Sequence, residues 1–198
     1  MRSEEVLALL EDLGAIENGH FVLSSGMHSS TYVQKFRALE VPSVAKELGS
    51  RLAALVTDEL LDGRGVDVVL SPAVGGMLLG FMTAAALGAR FIFAEREGGG
   101  FKLRRGFVIE EGEGVLVVDD VTTTGGSVKE VIPLISPGEG LGIGLLMDRS
   151  EGADLGLPAV ALATLNVRNF NPEDCPLCAD DVPMTAPGSR HIASDQRK

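Results

Sequence analysis

The chain has 198 residues, 45% of them hydrophobic, and a formal net charge of −11 at pH 7. A chain of this length and composition is expected to form one compact α/β domain with a sizeable core. The negative charge repels nucleic acids and anionic membranes, so a bound anion must meet a local basic cluster or a helix N-terminus. No stretch reaches the ~20 apolar residues of a membrane span. We therefore expect a soluble, cytoplasmic protein with no nucleic-acid or membrane partner.

Short apolar runs bounded by turn residues recur along the chain and predict a parallel sheet that is covered on both faces. Segments with helical spacing lie between these runs, and Pro133 interrupts or ends the last of them. The alternation predicts right-handed crossovers, so ligands are expected beyond the carboxyl ends of the strands. The predicted strands are VDVVLSP (66–72), ARFIFAE (89–95), GVLVVDD (114–120), LGIGLLMD (141–148) and AVALATLNV (159–167), and the predicted helices span 42–61, 75–89 and 125–135.

The stretch DDVTTTGGS (119–127) places two acids beside a loop rich in hydroxyls and glycines. It lacks the Gly-Lys-Ser/Thr ending of a Walker A loop and the GxGxxG of a dinucleotide fold. The loop lies between a predicted strand and a predicted helix, so its amides and hydroxyls can converge on a phosphate. Asp119 and Asp120 only accept hydrogen bonds when ionised, so they need a ribose diol or its metal as partner. Together these features indicate a site for a 5-phosphoribosyl group.

This stretch resembles the phosphoribosyl pyrophosphate signature of type I phosphoribosyltransferases. Most of residues 20–190 resembles the orotate phosphoribosyltransferase family, through HFVLSSGMHSSTYVQKF, SPAVGGMLLG, FIFAEREGGGFKLRRGF, MDRS and CPLCADDVPMTAPGSR. The resemblance implies an α/β fold with a type I phosphoribosyltransferase-like parallel sheet flanked by helices, and a small hood built from the N- and C-terminal segments. We expect a single domain over 1–198, with the hood and helices in about 1–65, the core sheet in 66–170, and a C-terminal segment and tail in 171–198.

The resemblance implies that Asp119 and Asp120 hold the ribose hydroxyls and act in catalysis. Gly75 and Gly76 are expected to bring backbone amides to the pyrophosphate, although paired glycines also permit close packing of a helix on a sheet. The 5′-phosphate is expected in the loop formed by Val121, Thr122, Thr123, Thr124, Gly125, Gly126 and Ser127.

The resemblance also implies a site for the base. Arg149 would pair with the orotate carboxylate, because its planar guanidinium matches a carboxylate through two hydrogen bonds; the alternative is a surface ion pair with Asp148. Tyr32 would stack on the pyrimidine, although a lone tyrosine is more often packing. His28 is expected to be a turn histidine without a catalytic part. The residues assigned to orotate are Ser24, Tyr32, Val33, Thr123 and Arg149, with Ser25 and Gly26 in the same block.

The stretch EREGGGFKLRRG (95–106) concentrates cations in an otherwise acidic chain. Its glycines predict a mobile lid that closes over the departing pyrophosphate, with a charged, solvated hairpin as the alternative. Many family members have lysine where Ser24 and Gly75 stand, so we expect the positive charge to have moved into this lid. The family resemblance implies a homodimer in which the lid acts across subunits. The lid residues assigned to phosphoribosyl pyrophosphate are Arg96, Lys102 and Arg104, with Lys102 in catalysis and Arg105 more simply explained by the hairpin.

These assignments imply transfer of the 5-phosphoribosyl group from phosphoribosyl pyrophosphate to orotate, with Mg²⁺ held mainly through the substrate and no metal site on the protein. Two alternatives stay open: a phosphoribosyltransferase for another nucleobase, and a non-catalytic regulator that senses phosphoribosyl pyrophosphate. A regulator of that kind would normally carry a nucleic-acid-binding surface, and the sequence indicates none.

Both cysteines of the chain lie in CPLC, as Cys175 and Cys178. Such a pair is half of a zinc site, a redox pair, or two thiols near a turn. No second CxxC and no paired histidines lie nearby in sequence, so a metal-free turn in a reducing compartment is expected.

Overall fold

The computed structural model describes residues 3–23, 26–167 and 169–185. Within these ranges no helix has both the length and the apolar character needed to cross a membrane. The helices are α1 (Ser3–Asp12), α2 (Phe36–Leu39), α3 (Pro42–Glu59), α4 (Met77–Leu87), α5 (Gly126–Val131) and α6 (Pro176–Ala179). The strands are β1 (Ile16–Val22), β2 (His28–Val33), β3 (Val68–Pro72), β4 (Arg90–Glu97), β5 (Gly100–Leu103), β6 (Gly114–Thr122), β7 (Glu139–Asp148), β8 (Ala159–Thr164), β9 (Asn169–Phe170) and β10 (Met184–Thr185).

The main sheet has six strands in the order β5-β4-β3-β6-β7-β8. Its neighbouring strands are parallel except for β4 and β5, which form an antiparallel hairpin at one edge. Every strand predicted from the apolar runs is present in this sheet, which confirms the α/β class. Parallel pairing places the carboxyl ends of β3, β6 and β7 side by side at one end of the sheet, called its carboxyl edge below.

Both faces of the main sheet are covered, which explains why its strands are almost continuously apolar. In β6, Leu116 and Val118 belong to the core under α1, α3 and α4, whereas Val115 and Val117 belong to the core under α5. This alternation follows from the opposite directions of successive side chains in a strand. As predicted at Pro133, α5 ends at Val131 and a 3₁₀ turn follows over Ile132–Ile135.

A second sheet has four strands in the order β10-β1-β2-β9 and forms the hood. Its centre is the antiparallel β1/β2 hairpin, while β9 and β10 come from the C-terminal part of the described chain. The strand β9 therefore lies in the hood, although 66–170 was expected to form the core sheet. The helices α1 and α3, which were grouped with the hood, pack on β8 of the main sheet.

Candidate active site

The carboxyl edge of the main sheet carries three loops that the sequence singled out. One loop, 73–76, follows β3, and a second, 123–125, follows β6. Arg149 follows β7, and its backbone N–H donates to the carbonyl oxygen of Thr122 at 2.9 Å. The parallel register thus brings separate segments of the chain to one place.

Asp119 and Asp120 are buried at the end of β6 and lie against the glycine loop that follows β3. A Cβ atom at Gly75 would collide with the carboxylate of Asp120, and one at Gly76 would stand 2.7 Å from the carbonyl oxygen of Val118. Only glycines permit this close approach. The structure therefore joins the predicted pyrophosphate loop to the predicted ribose carboxylates.

The carboxylate pair has an unusual electrostatic environment. Burial and, to a lesser extent, the neighbouring Asp120 raise the pKa of Asp119 to about 7. The backbone N–H of Asp120 donates to Asp119 Oδ1 at 2.9 Å, and that of Val121 donates to Asp120 Oδ1 at 2.6 Å. A ligand that offers hydroxyl donors to this pair would favour its ionised form.

Lys35 is a site residue that the sequence analysis missed. Its Nζ atom lies 2.7 Å from Asp120 Oδ2, and it would stand 3.0 Å from a Cβ atom at Gly75. Lys35 lies in the quoted stretch TYVQKF, directly after the hood strand β2, so the signal was present. Lys35 thus places a positive charge at the carboxylates, while the expected role of the lid cations stays a prediction.

Arg149 is held near the end of β6 with a partly buried guanidinium. Its Nε and Nη2 atoms are buried and have no hydrogen-bond partner among the described residues. Loss of hydration lowers the pKa of Arg149. The alternative ion pair with Asp148 is not present in the described chain, where Asp148 Oδ1 accepts the backbone N–H of Ser150 at 2.7 Å. Two unpaired donors on a planar cation are suited to an anionic ligand.

The predicted phosphate loop forms the connection between β6 and α5. Thr123 and Thr124 are exposed there, whereas Thr122 is buried. Gly125 has φ +75°, a left-handed conformation that favours glycine, and α5 begins at the next residue. The remaining predicted residues, Val121 and Ser127, are partly buried at the two ends of the loop.

The predicted base contacts of the hood are only partly described. Ser24 and Ser25 lie outside the described residues. Tyr32 is partly exposed, and its ring centroid lies 5.6 Å from that of Phe21, so the tyrosine does have a packing partner. Val33 is partly buried against the core under α1, α3 and α4.

The predicted lid has the form of a hairpin, the alternative that the sequence also allowed, and its mobility stays a prediction. Strands β4 and β5 pair through a turn at Gly98 and Gly99, whose φ values are +62° and +92°. All four cations form exposed ion pairs: Arg96 with Glu130 of α5, Lys102 and Arg104 with Glu97, and Arg105 with Glu95. Exposed ion pairs contribute only about 0–1 kcal/mol, so an anionic ligand could displace them.

The CPLC segment lies beside two histidines. The expectation of a metal-free turn assumed that no histidines were nearby, so its basis is lost. Cys175 and Cys178 lie beside His20 of β1 and His28 of β2. His28 is buried within a strand and is not a turn histidine. The hairpin brings together two histidines that are eight residues apart, and the C-terminal segment places both thiols beside them.

Comparisons with known proteins agree with the α/β fold. No protein-family model matches the chain. The chain is 45% identical over 195 residues to the orotate phosphoribosyltransferase of Caldanaerobacter subterraneus subsp. tengcongensis, covering 97% of this chain and 100% of the relative. It is 48% identical over 187 residues to that of Thermotoga maritima, covering 93% and 97%. A crystal structure of orotate phosphoribosyltransferase from Aeropyrum pernix matches with a TM-score of 0.67 and 32% identity, covering 81% of this chain and 93% of that one.

Proposed function

This chain belongs to the orotate phosphoribosyltransferase family, and we propose that it transfers the 5-phosphoribosyl group from phosphoribosyl pyrophosphate to orotate. The products are orotidine 5′-monophosphate and pyrophosphate, in a step of pyrimidine biosynthesis. One observation carries the proposal: Arg149, with two buried unpaired donors, lies at the same sheet edge as the buried carboxylate pair. That edge offers both a cation for orotate and acceptors for ribose.

The ribosyl end of the substrate binds at the ends of β3 and β6. Asp119 and Asp120 accept hydrogen bonds from the ribose hydroxyls, because ionised carboxylates accept hydrogen bonds and do not donate them. The exposed hydroxyls of Thr123 and Thr124 and the loop amides bind the 5′-phosphate. Gly75 and Gly76 let the backbone after β3 approach the carboxylates closely, which leaves its amides beside the pyrophosphate.

The base end is recognised by Arg149. A carboxylate of orotate would form two parallel hydrogen bonds with the guanidinium and satisfy its unpaired donors. Nucleobases without that carboxylate would leave the buried donors unpaired, which costs binding free energy. Tyr32 and Val33 contact the base from the hood in this proposal, with Ser24 in the same block.

The reaction needs positioning and electrostatic stabilisation more than a strong base. Bond cleavage leaves positive charge on the ribosyl carbon and negative charge on pyrophosphate, and a ring nitrogen of orotate attacks from the opposite face. The carboxylates hold the ribose while its positive charge develops. Lys35, 2.7 Å from Asp120, supplies positive charge close to the pyrophosphate loop.

We also propose that the substrate binds with Mg²⁺. The donor set fits, because the buried carboxylates and the threonine hydroxyls are oxygen ligands of the type that Mg²⁺ prefers, and such an ion is commonly held through substrate phosphates. When bound, Mg²⁺ neutralises charge on the leaving pyrophosphate. In this arrangement the protein contributes the carboxylates at the ribose, and the substrate contributes most of the ligands.

A homodimer is supported by the outer face of α4. Leu78 and Phe81 are exposed there, Val74 is exposed in the preceding loop, and Leu79 and Ala84 on the opposite face are buried. A helix that is apolar on both faces is usually covered on both, and a second copy of this chain would cover the outer one.

We propose that the β4/β5 hairpin then serves the partner's site. The free thiols of Cys175 and Cys178 support a cytoplasmic location.

The decisive experiment measures pyrophosphate release from phosphoribosyl pyrophosphate with orotate, uracil, adenine or xanthine as the acceptor. We expect release with orotate only, and loss of that release in Arg149→Ala. Release with another base would assign a different nucleobase. Binding of phosphoribosyl pyrophosphate without release for any base, even in a single turnover, would indicate a regulator.

A further inference from the structure

Four metal-binding side chains meet in the hood, apart from the carboxylates and Arg149. They are His20 on β1, His28 on β2, and Cys175 and Cys178 at the start of α6. One ligand atom from each lies within 4.8 Å of every other, and His20, His28 and Cys175 are buried. The cysteines are 155 residues or more from His20, so tertiary structure alone assembles this group.

Two of the distances match those of a tetrahedral metal site, and the others lie near them. Zinc–sulfur bonds of about 2.3 Å and zinc–nitrogen bonds of about 2.0–2.1 Å place sulfur about 3.6 Å from nitrogen in a tetrahedron. Here His20 Nε2 lies 3.6 Å from Cys175 Sγ and 3.7 Å from Cys178 Sγ. His28 Nδ1 lies 3.3 Å from Cys178 Sγ and 2.9 Å from His20 Nε2. Around one ion the two imidazole nitrogens must separate by a few tenths of an ångström, and the most distant ligand atoms, up to 4.8 Å apart, must approach each other by about 1 Å.

The surroundings of His20 also prepare it for a metal. Its Nδ1 lies 2.9 Å from the carbonyl oxygen of Val182, and because a carbonyl only accepts, Nδ1 must carry the hydrogen. In the neutral ring the lone pair is then on Nε2, the atom that faces both thiols. A backbone carbonyl bonded to the second nitrogen is the usual support of a zinc-bound histidine.

We propose that His20, His28, Cys175 and Cys178 bind a structural Zn²⁺ ion. Two thiolates and two imidazoles in a closed tetrahedron are typical of structural zinc and differ from the oxygen ligands that Mg²⁺ prefers. Cys178 is exposed, which gives the ion a path of entry. All four protein ligands are used, so no open position remains for catalysis.

The ion joins parts of the hood that are otherwise weakly connected. The strands β9 and β10 have two residues each, and short edge strands alone add little stability. Zinc fastens the segment that bears α6 to the β1/β2 hairpin. That hairpin leads through β2 to Lys35. The metal therefore supports the strand that places Lys35 beside Asp120.

The first test measures zinc in the full-length wild-type protein, purified under reducing conditions without a metal-affinity tag. Mass spectrometry of the metal should find about one zinc per chain. Replacement by Co²⁺ should give intense visible bands of a tetrahedral site and a thiolate charge-transfer band. The thiols should react slowly with a thiol reagent until a chelator is added. A metal-free protein with reactive thiols, or one with a Cys175–Cys178 disulfide, would overturn the proposal.

Variants locate the ion. Cys178→Ser and His28→Ala should each lose zinc. In the cobalt-treated protein the thiolate charge-transfer band should be weaker or absent, and the midpoint temperature of unfolding should be lower. Asp174→Asn, which removes a carboxylate next to Cys175 but no cluster ligand, is the matched control and should keep one zinc. Stoichiometric zinc in a Cys178→Ser/His28→Ala double variant would place the ion elsewhere. Metal content does not depend on turnover, so failure of this inference is distinguishable from failure of the proposed activity.

Discussion

The Nζ atom of Lys35 lies 2.7 Å from Oδ2 of Asp120 and connects the hood to the carboxyl edge of the main sheet. The side chain of Asp120 is 3% exposed and that of Lys35 is 29% exposed. Water is therefore excluded from the aspartate, while the lysine keeps partial contact with solvent. The lysine follows β2, while the aspartate ends β6. This ion pair thus links the hood side of the predicted substrate site to its carboxylate side.

Lys35→Ala should lower kcat/KM by on the order of tenfold or more, because it removes the cation at the carboxylate pair and leaves Asp120 without its partner. Lys35→Arg should retain part of the activity. Steady-state kinetics with both substrates measure the effect, and Lys46→Ala, at an exposed lysine of α3, is the control. Equal activity in Lys35→Ala and the control would remove Lys35 from the site.

Asp119→Asn should lower turnover by about tenfold or more and change the pH dependence of stability. The pKa of Asp119 is raised from 3.8 to about 7, so the folded protein binds more protons than the unfolded chain between these values. The stability contributed by this group therefore falls as pH rises from about 4 to 7. Without substrate or added Mg²⁺, the variant should match wild type near pH 4 and melt several degrees higher at pH 8. A difference that is constant with pH would contradict this assignment.

Gly75→Ala should reduce kcat/KM by on the order of tenfold, since the new methyl group collides with the Asp120 carboxylate and stands 3.0 Å from Lys35 Nζ. Gly65→Ala is a matched control, because no atom lies within 4 Å of a Cβ built at Gly65. Kinetics and thermal melting of both variants measure the effect. Wild-type activity in Gly75→Ala would show that the loop can move away from the carboxylates without loss.

Arg149→Lys should raise the Kd for orotate by about tenfold or more and leave the Kd for phosphoribosyl pyrophosphate nearly unchanged, because lysine cannot form the planar pair of hydrogen bonds. Arg149→Met should in addition raise the melting temperature of the unliganded protein, since it removes a partly buried cation with unpaired donors. Calorimetry with each ligand separates the effects. Equal weakening of both ligands would reassign Arg149 to the pyrophosphate end.

Mixing Asp120→Asn with Lys102→Ala tests whether the β4/β5 hairpin serves the partner subunit. If each variant alone is nearly inactive and subunits exchange, random mixing makes about half of the dimers hybrid, each with one intact site. Activity should then recover to roughly a quarter of wild type. Proven exchange without recovery would show that Lys102 serves the site of its own subunit.

The sequence alone determined the main sheet and was sufficient to propose the ribosyl part of the site. Apolar runs predicted each parallel strand, because a strand covered on both faces must be apolar at successive positions. The carboxylates and phosphate loop, 119–127, were identifiable because they are contiguous and follow one strand. Arg149 was predicted at a strand end, and the structure found it with unpaired donors. These features depend on local periodicity and on the rule that ligands collect at carboxyl ends.

Only the tertiary structure decided which distant residues meet. Lys35 reaches Asp120 across 85 positions, and Cys175 reaches His20 across 155, distances along the chain that no spacing rule relates. The same holds for the hairpin at 95–106, where the sequence left a lid and a charged hairpin open, and the pairing of β4 with β5 and the ion pairs of its cations became visible only in the structure. Sequence records local periodicity, while long-range contacts depend on how the sheets and helices pack, and the metal-ligand group in the hood exists only after that packing.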